Sequence, residues 1–287
     1  MKTVLIITSS QDSIVDYIIA IYSQKCYFFR LDLDRMCDYN FQLNQYGWSL
    51  DNYKEFVTDQ TVDAIYYRKP IFPNFRKYDG YCQDLMKKDI DILIKGIANV
   101  FEGKCLSRPH IIECAENKVY QMYIAKKIGF NMPDSLITNS IRSMDGFCKE
   151  KNYVVKTLSV GERETKPLET LEASPAYFQQ FIKEDYKVIA NFICQKPYVA
   201  RMEIVNKRNK KKEENCIQYS HMNLPHLIEE KCLAYMKELN LQFATFNFIV
   251  ENKEYYFIEV NPNGHWLKLE NELGWDLSAE IIEYLCS

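Results

Sequence analysis

The sequence predicts a mixed α/β chain in three pieces: an open α/β sheet, a small mixed middle, and a mostly β end. Three observations carry this reading. The chain begins strand, helix, strand; a capped helix opens a new unit near residue 116; and two hairpin patterns follow Tyr186. The expected boundaries are 1–115, 116–185 and 186–287.

The first piece opens with Thr3–Thr8, a β-branched run that stops at small polar residues. Ile14, Ile18, Ile21 and Tyr22 then recur at helical spacing, and Tyr27–Leu31 reads as a strand. Phe41–Leu43 and Gly47–Leu50 suggest a small hairpin, and Ala64–Arg68 a strand stopped by Lys69-Pro70. Gln83–Phe101 predicts a long helix, with Leu85, Ile90, Leu93, Ile94, Ile97 and Val100 as its apolar positions. After Pro109, the pair Ile111-Ile112 reads as a return to the sheet.

In the second piece Asn117 caps a helix whose stripe is Val119, Met122, Ala125 and Ile128, and Gly129 ends it. Ser135–Thr138, Tyr153–Leu158 and Tyr177–Ile182 read as strands, with a polar loop, Gly161–Pro167, between the last two. In the third piece Tyr186–Cys194 and Tyr198–Val205 flank a Gln195-Lys196-Pro197 turn. A charged loop, Asn206–Glu214, follows, then a helix after Pro225 with Leu227, Cys232, Leu233 and Met236 on its buried side. Phe243–Val250 and Tyr255–Asn261 form a second hairpin, and Leu277–Leu285 a final helix.

Composition narrows the function. A net charge of −3 argues against a general nucleic-acid binder, and Glu213 and Glu214 close the basic run Lys207–Lys212. No apolar run reaches the roughly 18–20 residues of a membrane helix. The stretch Met1–Ile7 is too short for a signal peptide. The ten cysteines are scattered without Cys-x-x-Cys, and the four histidines lack zinc spacing. The expectation is a cytoplasmic protein with reduced thiols and no structural zinc. Nine glycines supply neither a Gly-x-Gly-x-x-Gly turn nor a Walker loop.

The chemistry-bearing residues are spread along the chain. Glu259 and Asn261 stand two apart on one strand and so share a face. With a three-residue loop, Asn252-Lys253-Glu254, Asn247 falls opposite Glu259, close enough to share a cation. Oxygen donors of this kind suit Mg²⁺; an edge pair in water with an Asn-Pro turn is the alternative, and spacing leaves both open. Lys118 opens a helix, and Lys156 leaves an apolar strand just before Gly161, where a lysine can reach phosphates. The strand Tyr177–Ile182 runs into a connector whose backbone can meet an adenine edge.

Taken in order, these stretches resemble ATP-grasp ligases. More narrowly, they resemble the graspetide (microviridin-type) enzymes that close ω-ester or ω-amide rings in ribosomal peptides. The matching segments are Ile65–Pro70, Asn117-Lys118, Val155–Ser159, Phe178–Lys183, Asp185–Val188 and Phe257–Trp266. The resemblance implies an ATP-grasp fold with an N-terminal open α/β pre-ATP-grasp domain, a central lid subdomain and a C-terminal antiparallel-sheet subdomain. It implies ATP and Mg²⁺ as cofactors. Lys118 and Lys156 would contact phosphates; Gln179, Gln180, Phe181 and Ile182 would hold adenine, and Asp185 would hold the ribose or order that edge. Asn247, Glu259 and Asn261 would bind Mg²⁺. Arg201 and Lys187 would stabilise the transferred phosphoryl charge, and Arg68 and Lys69 would face a precursor peptide. A homodimer is a further expectation of the subfamily.

The chain departs from the family's pattern at three places. Asn247 stands where an Asp is usual, Lys187 where an Arg is usual, and Gln218-Tyr219-Ser220 where Asp-Trp-Arg is usual. The implied reaction transfers the γ-phosphoryl of ATP to an Asp or Glu side chain. A Thr/Ser hydroxyl or Lys amine of the same peptide then attacks the acyl phosphate, under a lid at Gly161–Pro167. Two alternatives stay open: another carboxylate–amine ligase, and a nucleotide-binding module that has lost catalysis at Asn247.

Overall fold

A computed structural model describes residues 1–150, 152–158, 173–209 and 212–287. The elements run β1 (Lys2–Thr8), α1 (Ser13–Tyr22), β2 (Cys26–Asp32), a 3-10 segment (Leu33–Asp38), β3 (Asn40–Asn44), β4 (Gly47–Asp51), β5 (Phe56–Thr58) and β6 (Ala64–Tyr67). They continue α2 (Gly80–Val100), β7 (Lys104–Leu106), α3 (Pro109–Glu116), α4 (Lys118–Ile128), β8 (Ser135–Thr138), α5 (Ile141–Glu150), β9 (Tyr153–Lys156) and β10 (Ala176–Gln180). Last come β11 (Tyr186–Ile193), β12 (Lys196–Asn209), β13 (Lys212–His221), α6 (His226–Glu238), β14 (Phe243–Glu251), β15 (Glu254–Asn261), α7 (Leu267–Leu273) and α8 (Leu277–Cys286). The expected lid, Gly161–Pro167, lies outside the described residues.

Contacts group the chain into two units, 1–112 with 265–287, and 113–264. The first holds a four-stranded sheet in the order β2-β1-β6-β7, its pairings parallel. A parallel sheet must be covered on both faces, and β1 is apolar at every position from Val4 to Ile7, all buried. Leu5 and Ile7 cluster with Ile94, Ile97 and Ala98 of α2 and with Trp48, Leu50 and Val57 of the small antiparallel sheet β3-β4-β5. Helix α8 packs on β1, β6 and β7. Residues 265–287 therefore belong with this unit, not with the last β piece where the 186–287 boundary puts them. Ile281, Ile282 and Leu285 are buried in that packing.

The second unit contains the antiparallel sheet β8-β10-β9 and the five-stranded sheet β13-β12-β11-β14-β15. One face of the larger sheet carries Phe246, Phe248 and Phe257, which meet Phe130 and Tyr235 beside α4 and α6 at ring-centroid distances of 5.1–6.5 Å. The opposite face bears the polar residues described below.

Several expectations need correction. Ile111-Ile112 lie in helix α3, because an isolated apolar pair cannot distinguish a strand from a helix face. Asn206–Glu214 is not an open loop: the ladder continues to Asn209 opposite Lys212. Leu227 is exposed, and Tyr235 joins Cys232 and Met236 on the buried side of α6. Cys26 and Cys286 form a disulfide, so two of the expected free thiols are paired. Their separation of 260 residues leaves no spacing motif to read.

Candidate functional site

The site in residues 113–264 is built by a hairpin and a helix. The β14–β15 turn has two residues, Asn252 and Lys253, both with positive φ (50° and 67°), the backbone that favours a tight hairpin. Two turn residues instead of three would put Asn247 out of line with Glu259. A bulge between Asn247 and Phe248 adds one residue to β15 and restores the pairing Asn247↔Glu259. Asp185 holds this turn, accepting Asn252 N–H at 2.7 Å through its carboxylate while its own N–H donates to Val250 O at 2.8 Å.

Helix α4 supplies the opposing charge. Asn117 caps it as expected, accepting from Val119 N–H and Tyr120 N–H, and Gly129 ends it at φ 86°. Lys118, its first residue, donates to Glu259 Oε2 at 2.5 Å. Asn247 donates to the other oxygen, Oε1, at 3.2 Å. Burial pushes the Glu259 carboxyl up, but the Lys118 charge and hydrogen bond, the Lys156 charge and Asn247 together hold it below its ordinary value.

Two residues that motif reading overlooks fix this geometry. Gln121, one turn after Lys118 and only 3% exposed, donates to Ala115 O at 2.6 Å and to Val260 O at 2.9 Å. Its own Oε1 accepts Val260 N–H at 3.4 Å. One buried amide thus ties α4 to the strand that carries Glu259 and Asn261. Its signal in the sequence was only a glutamine three residues from Lys118, on the same helix face. Gly264 is the second: a Cβ there would collide with the Thr245 hydroxyl. Thr245 pairs with Asn261 across the ladder and donates to Asn191 Oδ1 at 2.6 Å.

The smaller sheet brings Lys156 in. Lys156 pairs with Tyr177 across β9–β10, and its charge reaches Glu259. Gln179 Nε2 donates to Tyr177 OH at 2.8 Å. Burial, and after it the Glu259 charge, push the Tyr177 hydroxyl up against the pull of its Ser135 contact. Tyr177, Gln179 and Lys156 therefore share the strand face turned toward Glu259, while Phe178 and Val155 pack with Met144 and Phe147 of α5.

The remaining expected residues divide. Register puts Lys187, Ile189 and Asn191 on the same face as Asn247 and Glu259. Arg201 is opposite Val188, hence on the other face, over the Tyr186 ring at 4.0 Å and paired with Glu203 at 2.5 Å. It is not gathered with the carboxylate. Lys187 contacts Glu184 at 3.1 Å. In the connector, Gln180 N–H and Phe181 N–H are taken by Asp134 O (2.7 Å) and Asn152 O (2.8 Å), whereas Ile182 N–H has no acceptor among the described residues. Arg68 and Lys69 belong to the other unit, where Arg68 is fully buried.

Among the described residues no three His, Cys, Asp or Glu converge on a metal position. The donor set is one carboxylate, Glu259, with the amides of Asn261 and Asn247. Asn261 Oδ1 also accepts Asn263 N–H at 2.8 Å. Hard oxygen donors of this number fit Mg²⁺ if phosphates and water complete its shell, with Asn247 orienting Glu259 through its N–H.

No family model and no curated protein matches the chain. Solved structures do. The macrocyclase MdnC bound with precursor peptide MdnA from Microcystis aeruginosa MRC is 24% identical, with 99% of both chains covered and a TM-score of 0.87. The chain has the ATP-grasp fold. A Chryseobacterium gregarium RiPP-associated ATP-grasp ligase in complex with ADP and a leader and core peptide is 20% identical. It covers 100% of this chain and 97% of its own, with a TM-score of 0.83. The ATP-grasp ligase PsnB complexed with minimal precursor, Mg and ADP is 17% identical, covers 98% and 97%, and has a TM-score of 0.78. In this ATP-grasp fold the Lys118–Glu259 pair and Lys156 lie where the smaller sheet faces the larger one.

Proposed function

We propose that this chain is an ATP-dependent carboxylate ligase acting on a ribosomally made precursor peptide. It phosphorylates Asp or Glu side chains and joins them to Thr, Ser or Lys side chains as macrocyclic ω-esters or ω-amides. The observation that carries the reading is the Lys118–Glu259–Asn247 cluster with Lys156 close by, one carboxylate and two cations on a polar face. The ligands of the similar structures, precursor peptides, ADP and Mg, support it.

A carboxylate is a poor electrophile because an oxide is too basic to leave; as an acyl phosphate it loses phosphate instead. The γ-phosphoryl charge would draw Lys118 from Glu259 and engage Lys156, both by point-charge attraction. Lys187, on the same face, is a third candidate. Glu259 and Asn261 would hold Mg²⁺, which when bound would supply positive charge to offset that of the phosphates. Ile182 N–H, together with the carbonyls beside it, is offered to an adenine edge. Of the two roles expected of Asp185, holding the ribose and ordering that edge, its bond to the hairpin turn supports the second.

The test is incubation with ATP, Mg²⁺ and a Thr/Ser- and Asp/Glu-rich peptide encoded in a neighbouring reading frame, followed by mass spectrometry. Each ring formed removes one water, about 18 Da. Turnover on free amino acids with the peptide mass unchanged would instead support another carboxylate–amine ligase. Asn247 favours a second reading, a module that binds nucleotide without turnover. ATP binding without carboxylate-dependent ADP from any acidic peptide would select it.

A further inference from the structure

The sheet of residues 1–112 changes direction at β1: β2 lies on one side of it and β6 on the other. In open parallel sheets, ligands bind outside the carboxyl ends of the strands at such a switch point. Here those ends are Thr8 and Tyr67, and just beyond them stand Asp12 and Arg68. Arg68 is 0% exposed. Its Nε lies 3.1 Å from Asp12 Oδ2 and its Nη1 donates weakly to Tyr66 OH at 3.4 Å. Among the described residues, neither Nε nor Nη2 has the geometry of a hydrogen bond to any partner.

Asp12 is a poor counter-ion, because its carboxylate is already shared. Oδ1 accepts Ile14 N–H and Val15 N–H at the start of α1, and Oδ2 accepts the Thr8 hydroxyl at 3.1 Å. A buried guanidinium with unmade hydrogen bonds is costly, and the cost falls when an anion completes them. Nε and Nη2 form the side-on edge of the fork, which a carboxylate grips with both oxygens. Lys69 and the exposed His265 stand close by. Burial, then the charges of Lys69 and Arg68, against that of Asp12, hold the His265 ring below its ordinary value.

We infer that the switch point between β1 and β6 is a carboxylate-binding site. Arg68 takes the acid on its side-on edge, beside Lys69 and His265. The inference rests on the ligase reading only for the source of that acid, an Asp or Glu side chain of the peptide.

The test is calorimetric titration of the full chain with blocked glutamate (N-acetylglutamate amide) and its neutral counterpart, N-acetylglutamine amide. Wild type should bind the acid saturably and the amide not at all. Arg68→Gln should lose about tenfold or more for the acid with Mg·ATP affinity unchanged. Asp12→Asn keeps the helix cap, since Asn caps as well as Asp, but removes the competing charge. It should bind the acid about threefold or more tightly, and the acid should raise its Tm more than that of wild type. A purely structural Arg68–Asp12 pair predicts lower stability for Asp12→Asn with no gain in affinity. Equal binding of acid and amide by wild type, or unchanged acid binding in folded Arg68→Gln, overturns the site. If Arg68→Gln does not fold, the sign of the Asp12→Asn effect decides. Acid binding lost in Arg68→Gln, with no carboxylate-dependent ADP from wild type, keeps the site and removes the ligase reading. ADP formation with acid binding indifferent to Arg68 does the reverse.

Discussion

The two units hold their charged side chains in opposite ways. In residues 113–264, Lys118 and Glu259 satisfy one another, Asn247 takes the second carboxylate oxygen, and Gln121 pins the backbone beneath them. In the other unit, Arg68 is more deeply buried yet has two nitrogens without a hydrogen-bond partner among the described residues. A self-satisfied pair must be broken when a ligand arrives, so binding is an exchange of partners. An undersatisfied guanidinium gains hydrogen bonds and has only the ill-placed Asp12 carboxylate to give up. The first arrangement suits a site that discriminates between charged states of its ligand; the second suits a site that simply collects an anion.

The largest effect comes from making the first region resemble the second. Glu259→Ala leaves Lys118 without its carboxylate and removes the acidic donor proposed, among the described residues, for Mg²⁺. Carboxylate-dependent ADP release should fall about 10³-fold or more, measured at saturating ATP. Activity within threefold of wild type would mean that the pair is structural.

Next in size is Gly264→Ala. The added methyl would collide with the Thr245 hydroxyl, behind the strand that carries Asn261. Urea denaturation should show a loss of about 2–3 kcal/mol. Thr245→Ser retains the hydroxyl and should not relieve it, whereas Thr245→Ala in the same chain should return part. Gln121→Leu comes third. It strands the buried Ala115 and Val260 carbonyls, at a cost of about 1–2 kcal/mol. If the comparison holds, it should also weaken Mg·ATP binding, because Lys118 and Glu259 lose the tie that sets their distance.

What could be read in advance follows from where each interaction sits along the chain. The Asn117 cap, the Gly129 stop and the alternation of Glu259 with Asn261 depend on neighbours two to four residues away, and all are as expected. The Asn247–Glu259 register was reached from the wrong loop length; the two-residue turn and the bulge cancel, and no local pattern announces either. Arg201 falls on the face away from Glu259 because it pairs with Val188, and a residue's parity means nothing until a partner strand fixes it. Gln121 was silent because its acceptor, Val260 O, lies 139 residues on. Arg68 was noticed for its motif, but its burial follows from a parallel sheet that only the fold assembles.

The finest probe of the comparison is pH. The Glu259 carboxyl sits below its ordinary 4.5: burial raises it, but the Lys118 and Lys156 charges and the two donated hydrogen bonds together outweigh that and lower it. A group depressed in the folded state contributes stability that is fully present above its unfolded value and is lost as pH falls through its folded value. Wild type should therefore lose stability below about pH 4.5 with a steeper slope than Glu259→Gln, whose amide cannot titrate. The urea midpoint measured from pH 6 down to pH 3 gives both slopes. Because the Glu259 side chain is 36% exposed, solvent screens the effect and the difference is small. Parallel slopes would show that the lysines do not stabilise the charged carboxylate, and the contrast with Arg68 would then rest on geometry alone.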